Sequence, residues 1–114
     1  MKIATVPVPI QIKDPASKQL IGDLPIEQYA NTFWLNNPIW LNPKTNILRL
    51  TRVQTEFEKK QGEVMEFEDA DYDILVKAIN EPDLNQKGQA ILPQPLIYLQ
   101  VQSYETIILE AKNK

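Results

Sequence analysis

A chain of 114 residues with twelve basic and fifteen acidic side chains carries a formal charge of -3, and 43% of it is hydrophobic. That size makes residues 1–114 one domain, able to bury roughly two thirds of the surface its unfolded form exposes, and the charge balance gives no electrostatic footprint for nucleic acid. Neither Cys nor His is present, which removes disulfides, thiolate and imidazole metal sites, thiol nucleophiles and the commonest general base near neutral pH.

The expectation is therefore a non-enzymatic protein without cofactor or metal. The opening MKIATVPVPIQI is broken by Pro7 and Pro9 and does not read as a signal peptide, and no window approaches the apolar length of a membrane span. A soluble protein of the cytoplasm, with no nucleic-acid or membrane partner, is expected.

Val6, Val8, Ile10 and Ile12 recur at period two and predict one strand. Pro7 and Pro9 lack ladder donors, which places that strand at a sheet edge or in extended contact with a partner. Asp14-Pro15-Ala16-Ser17 is a turn signal, and Gln19-Leu20-Ile21 reads as the return strand, so residues 1–22 form an extended hairpin closed by Gly22-Asp23. Asp23 or a neighbour is the expected cap of a helix over 25–35 with Pro25 in its first turn, and Ile26, Tyr29, Ala30 and Phe33 on its apolar side.

Asn36-Asn37-Pro38 stops that helix, and Trp34 and Trp40 straddle the break, where they either seal the junction between helices or anchor an interface. Asn42-Pro43 opens the next helix, with Ile47, Leu50, Val53, Gln54 and Phe57 on one face, Leu48 off it, Glu56 spaced to pair with Lys60, and Gly62 as a left-handed cap. Glu63–Phe67 reads as a short strand that pairs with the N-terminal hairpin. Asp69 then caps a helix through Ile79, whose apolar side holds Tyr72, Leu75, Val76 and Ile79.

Glu81-Pro82 ends that helix, and residues 82–95 show no periodicity and read as a mobile loop. From Pro95 the sequence follows the helical period through Ile97, Val101, Tyr104, Ile108 and Ala111, although Leu96–Tyr104 also alternates in part as a strand would. Leu96, Leu99 and Ile107 widen the apolar stripe beyond one packing face, which points to a central helix or one shared with a partner. The fold class expected is α+β: an N-terminal β-hairpin with three to four packed helices, residues 25–111 being mainly helical.

The acidic run Glu63, Glu66, Glu68, Asp69, Asp71 and Asp73 lacks the ligand ladder and internal Gly of a calcium loop, and reads as helix-start capping and solvated surface. Gly22, Gly62 and Gly88 are isolated and build no phosphate loop. The four tyrosines sit at core-like positions with no accompanying base.

The order of features Val6-Pro7-Val8-Pro9-Ile10, Asp14-Pro15, Phe57-Glu58 through Gly62, and Glu68-Asp69-Ala70-Asp71-Tyr72 to Leu75 resembles small proteins of the tail and virion-assembly regions of tailed bacteriophages. Each piece is short and non-catalytic, while Trp34–Leu41 and Pro82–Pro95 depart from the pattern. The resemblance implies an accessory of tail or virion assembly that binds other phage structural or assembly proteins in the host cytoplasm. A permanent part of the tail or capsid, hence of the virion, and a small inhibitor of a host or defence protein are the alternatives. Interface candidates are Val6, Val8 and Ile10 on the prolyl strand, Trp34 and Trp40 at the corner, and Leu99 and Ile107 on the last helix; homo-oligomerisation through these faces is also compatible.

Overall fold

The computed structural model describes residues 1–14, 16–41, 44, 46–80 and 95–114, without the side chains of 95–98. In chain order the elements are β1 (Lys2–Thr5), β2 (Ile10–Lys13), β3 (Leu20–Leu24), α1 (Ile26–Phe33), a 3-10 turn (Pro38–Trp40), α2 (Asn46–Phe57), β4 (Val64–Phe67), α3 (Asp69–Asn80), α4 (Pro95–Leu109) and β5 (Lys112–Asn113). Among the described residues this is a mixed α+β fold with four helices and two small sheets.

The single strand expected over Val6–Ile12 is instead a break between two sheets. Pro7 and Pro9 have no N–H to give a ladder, so pairing runs on either side of them and not through them. Before the break, β1 pairs antiparallel with β4, Lys2 opposite Phe67 and Thr5 opposite Val64, and with β5 on its other edge, giving the order β4-β1-β5. Val6 extends the β4 side by one residue: its N–H donates to Glu63 C=O at 2.8 Å and its C=O accepts from Gly62 N–H at 3.0 Å. After the break, β2 pairs antiparallel with β3, Ile10 opposite Leu24 and Ile12 opposite Gly22, with an irregularity at Ile12/Lys13. Thus β4 pairs with β1 and not with the β2–β3 hairpin. In the connecting turn Asp14 Oδ1 accepts from Ala16 N–H at 2.8 Å, an Asx arrangement.

Several boundaries move for local reasons. Pro25, not Asp23, stands at the α1 N-cap in extended conformation, and its C=O accepts from Tyr29 N–H at 3.1 Å. Asp69 is the first residue of α3 and Glu68 C=O receives Tyr72 N–H at 2.8 Å, so the cap lies one residue earlier than expected. α2 ends at Phe57, and Gly62, although left-handed at φ 88°, serves the turn into β4 and not the helix end. The Asn42-Pro43 start, the Pro15 position, the end expected at Glu81-Pro82 and the loop expected over 82–95, apart from Pro95 in α4, lie outside the described residues. α4 is helical throughout, so the strand alternative for Leu96–Tyr104 gives way; the helix stops at Leu109, before Ala111.

The core closes around an aromatic chain. Tyr29 meets Trp34 edge-on at 5.3 Å, Trp34 lies 6.0 Å from Phe57, and Phe57 lies 5.5 Å from Phe67. Edge and tilted geometries of this kind add to the area such rings bury. The chain links α1, α2 and β4, and Tyr104 joins it from α4 at 5.9 Å from Tyr29. Val101, Tyr104 and Ile108 are fully buried at helical spacing; the side chain of Ile97, expected on the same line, is outside the described set.

Tyr104 also carries a polar task inside this core. Its hydroxyl donates to Leu24 C=O and accepts from Ile10 N–H, the latter at 2.9 Å, so it clasps the open end of the β2–β3 hairpin. Tyr104→Phe strands a backbone donor and an acceptor, and is expected to cost about 1–3 kcal/mol in denaturant unfolding with the slope of the transition unchanged. Unaltered stability would show that water replaces the hydroxyl at no cost.

Candidate interaction surface

The expected interface residues divide by position in the fold. Trp34 and Trp40 are core residues, 2% and 0% exposed. Trp40 Nε1–H donates to Trp34 C=O at 3.1 Å, which satisfies the one polar atom of the Trp40 ring and locks the corner between α1 and the 3-10 turn. Asn37 Oδ1 accepts from Ile39 N–H, and Asn46 Nδ2 donates to Ile39 C=O at 2.9 Å, so the corner's backbone is held too. Both indoles are packed inside the chain, at the position of a junction seal.

Val6 is likewise buried. Ile10 and Ile107 are partly buried against the core. Val8 and Leu99 are the candidates that face solvent, 63% and 66% exposed. They belong to different elements, the prolyl connection between β1 and β2 and the early part of α4. Ile107 lines an open depression of about 410 Å³ with Ile3, Thr5, Val64, Glu110 and Ala111.

Exposed apolar side chains also occur outside the interface candidates. Leu48 is 69% exposed, and Leu20 and Ile21 on β3 are both more than half exposed. Leu48 was signalled by its place off the apolar face of α2. Leu20 and Ile21 gave no such signal, because two adjacent apolar residues in a short strand do not say which of them is covered.

The acidic run is mostly committed to structure. Asp71 was expected on a solvated surface, but it is 2% exposed. Helix α3 lays it against α2, where Arg49 and Arg52 lie three residues apart on one face. Arg49 Nη1 donates to Oδ1 at 3.0 Å, Arg52 Nη2 to Oδ1 at 2.9 Å and Arg52 Nε to Oδ2 at 2.9 Å. Burial pushes the Asp71 carboxyl up, but the hydrogen bonds from Arg52 and Arg49, with their charges, outweigh it and hold the group below the ordinary carboxylate range. The hydrogen bond with Asp71 raises the Arg52 guanidinium in turn.

Glu63, Glu68, Asp69 and Asp73 are exposed. Glu56 pairs with Lys59 at 2.7 Å and not with Lys60 as its spacing suggested, because Lys59 also reaches Val64 C=O at 2.9 Å. The hydrogen bond that Lys59 donates to Glu56 raises the Lys59 ammonium. Glu66 bonds to Lys114, which lowers its carboxyl. Among the described residues no group of three or more acids is arranged to hold a metal ion, and no helix is long and apolar enough to cross a membrane. Tyr72 and Tyr104 are both raised by burial, and the Tyr72 hydroxyl donates to Ile108 C=O at 2.7 Å.

No protein-family model matches the chain, and neither the curated proteins nor the solved structures contain a significant match.

The Asp71 cluster generates a pH dependence of stability. With the folded carboxyl below its unfolded value of about 4, its contribution is complete above that pH and is lost as pH falls through the lower folded value. Asp71→Asn is expected to lower stability at pH 7 by about 2 kcal/mol. The loss is moderate because Arg49 and Arg52, 33% and 46% exposed, regain water. Melts of the two proteins should converge as pH falls below the ordinary carboxylate range; curves that stay parallel throughout would show that Asp71 contributes nothing through its charge.

Proposed function

We propose that the protein is a non-enzymatic, protein-binding accessory of tailed-phage tail or virion assembly, acting in the host cytoplasm on other phage structural or assembly proteins. The observation that carries the proposal is the presence of large apolar side chains outside a closed aromatic core. Val8 and Leu99 stand in solvent while Trp34, Trp40, Tyr104 and Ile108 already fill the interior. Single exposed apolar residues are ordinary, and the proposal rests on two of them lying outside an interior that is already filled. Val8 lies on the prolyl connection that leads into the β2–β3 hairpin, and Leu99 on α4, which packs on β2.

The test uses two exposed positions that take no part in the core. Val8→Ser with Leu99→Ser is expected to leave the melting temperature within about 2 °C of the parent. The same variant, co-expressed with the products of neighbouring genes, should recover about tenfold less of a tail or capsid protein that the parent retains. Fixed stoichiometry in purified particles would instead establish a permanent virion component, and salt-sensitive binding to a host enzyme would establish the inhibitor. Equal recovery by parent and variant would remove Val8 and Leu99 from the interface.

A further inference from the structure

The strands of this fold differ in how their outer edges end. On β4 the outward backbone groups are taken up by α2: Glu56 Oε1 accepts from Glu66 N–H at 2.7 Å, and Lys59 Nζ donates to Val64 C=O at 2.9 Å. On β2 the same is done by α4. The Gln100 amide accepts from Lys13 N–H at 2.9 Å and donates to Lys13 C=O at 3.0 Å, standing where the peptide group of a neighbouring strand would stand. The Tyr104 hydroxyl accepts from Ile10 N–H beside it. β5 has two residues, one of them Lys112, the short charged edge that discourages pairing.

β3 is the exception. It runs five residues, Leu20–Leu24, and is the other edge of its two-stranded sheet. Among the described residues no helix side chain hydrogen-bonds to its Leu20–Asp23 stretch. Instead of Lys or Pro it presents Leu20 and Ile21, 57% and 64% exposed. An uncovered edge with apolar side chains is a template for another strand.

Charge along the hairpin selects the occupant. Lys13 and Lys18 lie at its turn end, where the Asp14 carboxylate is engaged by the Ala16 and Ser17 N–H groups; Asp23 and Glu27 lie at the other end. Antiparallel pairing of two identical β3 strands brings each basic end beside the acidic end of the other copy, whereas parallel pairing sets like against like. We propose that β3 pairs antiparallel with β3 of a second copy across a twofold axis. The product is a β2-β3-β3-β2 sheet in which Leu20 and Ile21, on opposite faces of β3, each gain a cross-strand neighbour from the other copy. A twofold contact of this kind is self-complementary and closes as a dimer. The proposal is independent of the phage reading, since it concerns the purified chain alone.

Light scattering and sedimentation of the full chain, over roughly a thousandfold concentration range, are expected to show a monomer–dimer equilibrium. Ile21→Lys, the charged guard of natural edges, should leave a folded monomer by circular dichroism. K18E should raise the dimer dissociation constant about tenfold by placing like charges at both ends, and K18E/D23K should restore it. Should Ile21→Lys disturb the fold, the fully folded charge variants decide. A monomer throughout the range, or a dimer unmoved by K18E and by Ile21→Lys, overturns the proposal. A monomer that nevertheless accepts an unrelated strand along β3 overturns it as well, in favour of a foreign partner.

Discussion

The fold depends on α4 holding the β2–β3 hairpin and α3 at once. Its buried line of Val101, Tyr104 and Ile108 fills the interior, yet two of its polar groups set the position of the hairpin: Tyr104 at the open end and Gln100 near the turn end. β2 and β3 form a two-stranded ribbon, which alone is marginal in water. Burial of Ile12 and the side-chain bonds from α4 supply what a third strand would otherwise provide. The C-terminal end of α4 receives the Tyr72 hydroxyl at Ile108 C=O, so α3, the hairpin and the aromatic core are indexed to one helix.

Asp71 performs the corresponding task between α2 and α3. Removing a carboxylate from water costs several kcal/mol, and three charge-assisted bonds from two arginines offset that cost in a geometry that α2 fixes through its three-residue spacing. Both arginines retain partial exposure, which limits the desolvation to one ion. The result contributes orientation more than bulk stability: α3 is held in the rotation that delivers Leu75 and Ile79 to the core on the same side as the carboxylate.

What was legible in the sequence follows the range of the interaction involved. The period of Val101, Tyr104 and Ile108 located the inner face of α4, and the break at Asn36-Asn37-Pro38 located the corner closed by Trp34 and Trp40. Those are local signals. β1 was missed because Lys2–Thr5 contains one large apolar residue and no alternation, and its pairing with Val64–Phe67 spans about half the chain. β5, with two residues, has no pattern to detect. Asp71 resembled its acidic neighbours in sequence, and only the packing of α3 on α2 separates it from the exposed Asp69 and Asp73. Among the interface candidates, the alternation that named Val6, Val8 and Ile10 was a true pattern, but the two prolines gave it to a sheet junction in which Val8 alone faces outward.

The side chains that cover the strand edges also determine how the structure opens. The Gln100 bonds to Lys13 are exposed, where exchange with water leaves little net free energy, whereas the Tyr104 clasp lies in the core, where an unmade bond carries its full desolvation cost. Fraying of the hairpin therefore begins at its turn, near Lys13 and Leu20, and stops at the Ile10–Leu24 end. The edge that frays is also the one beside the most exposed apolar residues of β3. A partner strand added there has to order only the turn end, because α4 already fixes the Ile10–Leu24 end and confines the entropy cost to the few residues beyond it.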